Sequence, residues 1–456
     1  MDYREAVDYL YSLGQETKAM KLGLESVRAL CRVLDDPQRK YPVVHIAGTN
    51  GKGSTSAMIE AIARAAGLQT GLYTSPHLMA VTERIRVNGV NIADDDFAQL
   101  ATTVRMAGER LVRQGVLLAP PTYFEQVTVI SFLYFAECDI DLAVLEVGLG
   151  GRLDATNVCE PLVTAITPVS LDHQEYLGNT LTEIAGEKAG IIKPRVPVVV
   201  APQDPQSMKV IAEKARQAGA ELIGVDSPLH ELTSCEPIQS TSYNPFREGL
   251  FEFSYRTPRD EYSIELNLRG EHQVTNARTA IHVAEQLTER DLDLPRFAIE
   301  LGLRQVVWPG RLEMIEVEDK QRNILLPILL DGAHNIAGAK NLSGYLKQFY
   351  ADRPITVIFG VLADKAVKEM ADLLMPLADQ IIATRISSPR TSEPQAIAAL
   401  AERHAKSVIC ADSAAKALEQ ATTRTQANGL ICVCGSLYLI GEIKKIIVAK
   451  RSTMGF

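Results

Sequence analysis

The chain has 456 residues, of which 46% are hydrophobic and 23% charged, and its formal net charge is −9. This length is too great for one ordinary core and favours two domains. The acidic balance argues against a protein that follows nucleic-acid backbone or an anionic membrane. Seven scattered cysteines indicate reduced thiols, and the charged amino terminus is unlike a signal peptide. We therefore expect a cytoplasmic globular protein.

Apolar runs alternate with helical patterns over the first 230 residues, as in a parallel sheet with crossover helices. The first buried strand is VVHIA at 43–47, followed by the loop GTNGKGS and a helix that ends at Gly67. Further strands are predicted at TGLYTS, 141–147, 162–167 and 196–201. Further helices are predicted at 94–114, 123–137 and 180–192.

The pattern changes after residue 228. Pieces such as LFEFSY and YSIELNL predict antiparallel hairpins up to about 268, and a helix follows from Val274 to Thr288. A second series of strands and helices begins near 324, with ILLPILLD, PITVIFGV, DQIIATR, SVICA and GLICVCG as strands. We place the domain boundary so that one domain spans 1–304 and the other 305–456. The pair Cys432 and Cys434 lies in the last strand, where it reads as two small hydrophobes rather than a metal site.

The segment from Gly48 to Ser54 has the composition and setting of a nucleotide phosphate loop. It follows a strand and opens a helix, so glycine amides and the helix amino terminus can approach phosphate. Lys52 is placed to reach the terminal phosphates, and Ser54 to touch a magnesium ion. The general pattern G-x-x-x-x-G-K-[ST] is matched imperfectly, because Ile46 stands at its first glycine and Gly53 separates Lys52 from Ser54. The alternative is a plain glycine-rich turn.

Three polar side chains stand out from their surroundings. Glu146 ends an aliphatic strand at the edge where α/β sheets build sites, and a carboxylate there is costly to bury unless paired or metal-bound. His173, in LDHQEYLG, is predicted to end another strand in the same way, although a lone histidine there is more often structural. Lys188, in GEKAGI, has a plainer alternative as a solvated lysine near the end of a helix.

A series of sequence blocks runs along nearly the whole chain: LGLESV (22–27), HIAGTNGKGST (45–55), YTSPHL (73–78), ERIRVNG (83–89), TYFEQVT (122–128), LEVGLGGRLDATN (145–157), LDHQEYLG (171–178), GEKAGIIKP (186–194), GEHQVTNARTA (270–280), WPGRLEM (308–314) and LDGAHN (330–335). In content and order these blocks resemble the folylpolyglutamate synthase and dihydrofolate synthase family of the Mur ligase superfamily. The resemblance implies an α/β fold with two domains. The first would be a phosphate-loop nucleotide-binding domain with a mainly parallel sheet, and the second a smaller Rossmann-like α/β domain.

The same resemblance implies an ATP-dependent ligase that joins L-glutamate to a folate-type carboxylate through an acyl phosphate and releases ADP and phosphate. A bifunctional dihydrofolate and folylpolyglutamate synthase is the first choice, with folylpolyglutamate synthase alone or a muramyl-type amino-acid ligase as alternatives. A phosphate-loop switch protein without ligase activity is a rival from another class. The implied cofactors are ATP and two Mg²⁺ ions, with K⁺ as a further candidate. The implied substrates are dihydropteroate or a reduced folate, and the implied state is a monomer.

Site residues carried over from the family fall into four groups. The ATP contacts are Thr49, Asn50, Gly51, Lys52, Gly53, Ser54, Asn276, Arg311 and Asp331, and the metal ligands are Ser54, Ser75, Glu146 and His173. The folate contacts are Leu22, Gly23, Leu24, Thr122, Leu153, Asp154 and Ala155. The catalytic residues are Lys52, Lys188 and His173, with Lys188 typically carbamylated in the family. Asp331 has a helix-cap role as its alternative, and His334 is a further neighbour of the nucleotide or the acyl phosphate.

Overall fold

The computed structural model describes residues 1–14, 23–238, 243–319, 322–404 and 407–452. The chain forms two compact units, and each unit is made of three separate segments of the chain. Unit 1 comprises Met1–Ser234, Phe253–Glu265 and Thr275–Val306, and unit 2 comprises Cys235–Glu252, Leu266–Val274 and Val307–Phe456. The division into domains 1–304 and 305–456 stays a prediction, since two segments before residue 304 group with unit 2.

The strands and helices of the described residues have the following bounds. The strands are β1 (Val43–Ala47), β2 (Thr70–Tyr73), β3 (Ile85–Val87), β4 (Val90–Asn91), β5 (Leu142–Glu146), β6 (Val163–Ile166), β7 (Val198–Val200), β8 (Leu222–Gly224), β9 (Glu231–Pro237), β10 (Phe251–Arg256), β11 (Glu261–Leu266), β12 (Glu313–Asp319), β13 (Ile324–Leu330), β14 (Ile355–Phe359), β15 (Gln380–Thr384), β16 (Ser407–Ala411) and β17 (Leu430–Cys434). The helices are α1 (Tyr3–Ser12), α2 (Glu25–Val33), α3 (Lys52–Ala65), α4 (Asp94–Arg113), α5 (Tyr123–Glu137), α6 (Gln174–Leu177), α7 (Leu181–Ala189), α8 (Pro205–Ala218), α9 (Glu271–Thr288), α10 (Arg296–Gln305), α11 (Ile336–Phe349), α12 (Val367–Leu374), α13 (Pro394–Ala401), α14 (Ala414–Arg424) and α15 (Leu437–Ser452).

The sheet of unit 1 has the order β4-β3-β2-β5-β1-β6-β7-β8 among the described residues. The pairs from β2 to β8 are parallel, and β3 and β4 add an antiparallel edge. Every residue of β1 is buried, as a parallel strand covered on both faces requires. The chain leaves β1 towards β2 on one side and leaves β6 towards β7 on the other. The carboxyl ends of β1 and β6 therefore flank a topological switch point, where α/β sheets place their ligands.

Helix ends near this sheet are fixed by local hydrogen bonds. Helix α5 begins at a capping box in which Thr122 and Glu125 each bond the other's backbone amide, and Thr180 and Glu183 form the same box at the start of α7. Helix α10 lies against α3 so closely that a Cβ at Gly302 would come 2.5 Å from the Cα of Ile62. The capping boxes thus fix where α5 and α7 begin, and the close contact with α10 fixes the position of α3.

The sheet of unit 2 has the order β12-β13-β17-β14-β15-β16. Its strands from β13 onwards pair in parallel and confirm the five predicted there, whereas the antiparallel strand β12 was not predicted. Both Cys432 and Cys434 are buried in β17. The strands β9, β10 and β11 form a separate small sheet. Strands β10 and β11 are joined by a tight turn, in which the Thr257 amide donates to the Asp260 carbonyl, and they form a hairpin as predicted. Among the described helices, none is both long and apolar enough to span a membrane.

Candidate active site

The loop from Gly48 to Gly51 joins the end of β1 to the start of α3 and turns at two glycines with positive φ. Gly48 has φ +148° and Gly51 has φ +88°. A Cβ at Gly48 would lie 1.8 Å from Thr167 Oγ1 and 2.9 Å from the Thr167 carbonyl oxygen. The loop thus lies directly against the end of β6, and only glycine fits at position 48.

Replacing Gly48 by alanine is expected to destabilise the protein by roughly 2–5 kcal/mol, because left-handed backbone strain adds to a clash with backbone. Gly186→Ala in α7 is the matched control, since a Cβ there would meet nothing within 4 Å. We expect it to raise the free energy of unfolding by about 0.5–1 kcal/mol, as helix-interior glycines allow. Chemical denaturation of both variants measures the difference, and equal stabilities would show that the loop adapts to a side chain.

A short segment after β6 braces the loop. The amides of Thr49 and Asn50 donate to the Pro168 carbonyl at 3.0 and 3.2 Å. Thr49 Oγ1 donates to the Ser170 carbonyl at 3.0 Å and accepts from the Ser170 amide at 3.1 Å, while Asn50 Nδ2 donates to Ser170 Oγ at 2.9 Å. These four hydrogen bonds and the Asn50–Ser170 contact tie the loop to the segment after β6. The Thr55 amide donates to the Gly51 carbonyl at 2.8 Å, so α3 begins directly at the end of the loop.

Two lysines meet at this loop. Lys52 is the first residue of α3, and its Nζ donates to the Thr49 carbonyl at 3.2 Å. Lys188 lies near the end of α7 with 4% exposure, and its Nζ donates to the Gly48 carbonyl at 2.8 Å. Burial, with the charge of Lys52 as a second cause, lowers the pKa of Lys188 from 10.5 to about 7. The alternative of a solvated lysine at position 188 is wrong.

Glu146 and Ser75 come together at the ends of neighbouring strands. Glu146 is the last residue of β5 and is 4% exposed, and Ser75 follows the adjacent parallel strand β2. The Ser75 amide donates to Glu146 Oε2 at 3.1 Å. Ser54 is buried in the first turn of α3. The structure thus places two of the predicted metal ligands in contact with each other.

His173 lies elsewhere than predicted. Strand β6 ends at Ile166, and His173 instead precedes the short helix α6 with a left-handed backbone at φ +51°. The prediction that it ends a strand is therefore wrong, because residues 167–172 form an intervening loop. Its amide donates to Asp172 Oδ1 at 2.9 Å, and its side chain is 36% exposed. Positive φ at a residue other than glycine is uncommon and concentrates at functional sites.

The residues predicted to contact folate lie on three segments. Asp154 is buried and accepts from the amides of Leu149 and Thr156 at 2.9 and 3.0 Å, and burial raises its pKa. Its carboxylate thus ties together the loop that also carries Leu153 and Ala155. Thr122 caps α5, and Gly23 and Leu24 directly precede α2. Leu22 lies outside the described residues.

Asn276 belongs to unit 1 and lies against the phosphate loop. It is buried in the first half of α9, and a Cβ at Gly51 would come 2.4 Å from its Oδ1. The tight approach explains why residue 51 lacks a side chain. Among the predicted ATP contacts beyond residue 54, Asn276 is the one that the structure brings to the loop within unit 1.

Unit 2 holds a cluster around Asp331 at the end of β13. The carboxylate of Asp331 accepts from the amides of Leu312 and Ala333, each at 2.9 Å. Burial raises its pKa, and the neighbouring Arg311 lowers it to a smaller extent. The helix-cap alternative is wrong, since the cap of α11 is Asn335. His334 Nδ1 donates to the Gly332 carbonyl at 2.8 Å, so the cluster is held by its own hydrogen bonds.

Comparison with known proteins covers almost the whole chain. The family model described as Mur ligase middle domain matches residues 46–284, and the one described as dihydrofolate synthetase, C-terminal domain, matches residues 313–446. The dihydrofolate synthase/folylpolyglutamate synthase of Bacillus subtilis is 36% identical over 447 residues, which is 97% of this chain and 98% of that protein. The chain belongs to the folylpolyglutamate synthase and dihydrofolate synthase family of Mur ligases.

Solved structures of this family agree in fold. The folylpolyglutamate synthase of Mycobacterium tuberculosis, complexed with ADP and AMPPCP, is 31% identical with a TM-score of 0.85, and the match covers 98% of this chain and 99% of that one. FolC of Escherichia coli, in complex with DHPP and ADP, is 28% identical with a TM-score of 0.83, and the match covers 99% of each chain. These matches confirm the predicted α/β fold of two domains for this member of the family.

Some residues at the family site were not predicted from the sequence. Thr167, Pro168 and Ser170 brace the phosphate loop, and Asp172 lies within electrostatic reach of Lys188. All four lie in the short stretch between β6 and His173, and this shared position is the sequence signal that could have identified them. Tyr123 at the start of α5 is buried and stacks on Tyr11, with ring centroids 5.6 Å apart.

Proposed function

We propose that this chain joins L-glutamate to a folate-type carboxylate by way of an acyl phosphate, at the cost of ATP. The observation that carries the proposal is the pair of lysines at the phosphate loop, with Lys52 at the start of α3 and Lys188 buried on the carbonyl of Gly48. ATP-dependent ligation follows from membership of the family together with this loop. A plain glycine-rich turn would have no reason to bury a lysine beside a second one.

The reaction requires fixed positive charge near the reacting groups more than it requires a protein nucleophile. Transfer of the γ-phosphoryl group to the substrate carboxylate places negative charge on the phosphoryl oxygens, and attack of the glutamate amine then places it on the tetrahedral carbon's oxygen. Lys52 is positioned for the first charge. We assign Gly51, Gly53 and Ser54 to the phosphates. We assign Asn276, Arg311 and Asp331 to the rest of the nucleotide.

Thr49 and Asn50 have a different part in the proposal. Their amides are already engaged by the Pro168 carbonyl, and their side chains by Ser170. We propose that they contribute to ATP binding by holding the loop in shape. The backbone at the start of α3 would then keep its position when the phosphates bind.

The donor set near the loop suits magnesium. Magnesium takes oxygen ligands, keeps several waters and needs one or two protein carboxylates. Glu146 supplies a buried carboxylate in contact with Ser75, and Ser54 supplies a hydroxyl at the helix start. Bound there, magnesium would neutralise phosphate charge, and we propose two such ions with His173 as a further ligand.

Lys188 is proposed to carry a carbamate. Carbamylation requires a neutral amine, whose lone pair attacks carbon dioxide and forms an N–C bond with loss of one proton. The buried position of Lys188 disfavours its charged form, and the family resemblance points to the same residue. Carbon-13 NMR of protein equilibrated with labelled bicarbonate should show one carbamate resonance that Lys188→Met lacks. A spectrum unchanged by that substitution would exclude the modification at this residue.

His173→Asn is expected to lower ligase activity by about 100-fold and to raise the magnesium concentration needed for half-maximal rate. Asparagine is chosen because it tolerates the positive φ of this position better than alanine does. ADP release is measured over a series of magnesium concentrations. His404→Asn in unit 2 is the control and should leave both quantities unchanged. An unaltered magnesium dependence in His173→Asn would remove this residue from the metal site.

The acceptor is proposed to be both dihydropteroate and a reduced folate. Relatives carrying the bifunctional name support this reading, and so does the match to a dihydrofolate synthetase C-terminal domain. One preparation assayed with each acceptor decides between the two activities. Glutamate-dependent ADP release with both supports bifunctionality, and release with a tetrahydrofolate alone would reduce the assignment to folylpolyglutamate synthase.

We further propose that 1–304 is the ATP-binding ligase domain and 305–456 the Rossmann-like domain.

A further inference from the structure

A cavity of about 650 Å³ lies in unit 1 at the edge of the sheet opposite the phosphate loop. Its lining residues come from α2 and from the segments that directly precede β1, β6 and β7. The phosphate loop follows the other end of β1. Since β1 has five residues and a strand rises about 3.3 Å per residue, roughly 16 Å of strand separates the two. The cavity is therefore distinct from the nucleotide site.

Positive charge predominates in this cavity although the chain is acidic. Its described lining includes four cations, Arg28, Arg32, Arg39 and Lys193, against two carboxylates, Asp36 and Glu160. Arg39 pairs with Glu160 at 3.0 Å. Two unit positive charges therefore remain in excess, on a chain whose formal net charge is −9.

With Arg39 paired to Glu160, the cations Arg28, Arg32 and Lys193 remain against the one carboxylate of Asp36, and two of them lie on α2. Arg28 and Arg32 stand four residues apart on α2, so their side chains are neighbours on one face of the helix. Among the described residues neither forms an ion pair with a carboxylate. Like charges at this spacing destabilise a helix, and an anion between them would reverse the effect. Arginine forks also match the geometry of phosphate and carboxylate oxygens.

Lys193 adds a third cation from the other side of the cavity. Its Nζ donates to the Asn157 carbonyl at 2.9 Å. Burial lowers the pKa of Lys193, and the charge of Arg28 lowers it further. Arg28 therefore lies close enough for the two cations to repel each other. The remaining lining includes Val158, Pro161 and Val196, which offer apolar surface to the body of a small molecule.

Asn157 connects this cavity to the candidate active site. Its buried side-chain Nδ2 donates to the carbonyls of Arg152 and Gly190, at 2.9 and 3.2 Å. The bond to Arg152 holds the loop that carries Leu153 to Ala155. The bond to Gly190 holds the residue that follows α7, and α7 is the helix that carries Lys188. An anion that draws Lys193 away from Asn157 would change the support of both segments.

We propose that this cavity binds a small organic anion with at least two negative charges, a phosphate ester or a polycarboxylate, which acts as an effector of the enzyme. The shared chemistry is a pair of oxyanion groups, one between Arg28 and Arg32 and one near Lys193. The apolar lining accommodates the carbon body of the ligand. Its binding weakens with ionic strength, as for any exposed cluster of charges.

Isothermal titration with inorganic pyrophosphate and with citrate tests the binding and separates the two sources. Wild type and Lys52→Ala should bind at least one of these anions equally well, because Lys52 belongs to the phosphate loop. Arg28→Gln/Arg32→Gln should weaken binding by about 10- to 100-fold through loss of two charge-assisted contacts. Arg110→Gln/Arg113→Gln, which removes two exposed arginines from one face of α4, is the control and should change nothing.

Three outcomes would overturn the site: no binding of either anion, equal binding by the Arg28/Arg32 variant, or loss of binding in Lys52→Ala. The effector role rests on the proposed ligase function and is tested separately. Addition of the bound anion should change the KM for the folate substrate in wild type and not in Arg28→Gln/Arg32→Gln. Binding without any such change would refute the effector role. An enzyme inactive as a ligase would still report binding, so the two failures are distinguishable.

Discussion

Lys52→Ala is expected to reduce glutamate-dependent ADP release by roughly 100- to 1,000-fold, the cost of losing one fixed charge at a transition state. In the first turn of α3 the Lys52 Nζ donates to the Thr49 carbonyl at 3.2 Å. Because Lys52 is only partly buried and alanine is a good helix former, the fold should survive with an unchanged thermal midpoint. Steady-state kinetics at saturating ATP, together with calorimetry, measures both effects.

The control for this variant is Lys209→Ala, which removes an exposed lysine from α8. It should retain the wild-type rate. Normal turnover by Lys52→Ala would contradict the assignment of the phosphate loop. A fall in rate accompanied by a large fall in thermal midpoint would instead assign Lys52 a role in folding.

Lys188→Met is expected to lower ligation by about 100-fold or more, because the loop loses the only buried amine described against it. Stability should move in the opposite direction. The pKa of Lys188 falls from 10.5 in the unfolded chain to about 7 in the folded one, so the unfolded chain binds more protons between these values. The free energy of unfolding of the wild type therefore rises with pH across this window, and burial of the charge costs most below pH 7.

Methionine fills a similar volume without this cost. The gain in unfolding free energy of Lys188→Met over the wild type should reach a few kcal/mol at or below pH 7 and shrink as pH rises towards 10.5. Loss of the hydrogen bond to Gly48 offsets about 1 kcal/mol at every pH. Denaturation in bicarbonate-free buffer at several pH values measures the difference, with Lys214→Met on α8 as the exposed control. A gain that grows with pH would reverse the sign and refute a cost from burying the charged lysine.

The local structure around the phosphate loop could be predicted because it depends on short-range patterns. The run VVHIA at 43–47 predicts β1 with the bounds that the structure shows, and the glycines at 48 and 51 mark the turn into α3. The helix predicted at 123–137 is α5 with the same bounds, since Thr122 and Glu125 form a capping box within four residues. In these places each local preference agrees with the final fold.

What could not be predicted depends on distant partners. Lys188 bonds a carbonyl 140 residues away, and nothing in the pattern of α7 distinguishes it from an exposed lysine at a helix end. His173 was misplaced because the polar loop after β6 has no periodicity that would mark its length. The strand β12 was missed because its glutamates read as surface, and antiparallel pairing with β13 is set by tertiary contact.

Strand β1 has neighbours on both sides, β5 and β6, and its loop is tied to the segment after β6. Its amides can exchange with solvent only when the centre of the sheet opens, whereas those of the short edge strand β4 exchange through local fraying. The amides of Thr49 and Asn50 should accordingly be protected in the free protein, before any ligand arrives. Nucleotide association should then proceed without a slow isomerisation of the loop, and its rate should be limited by encounter.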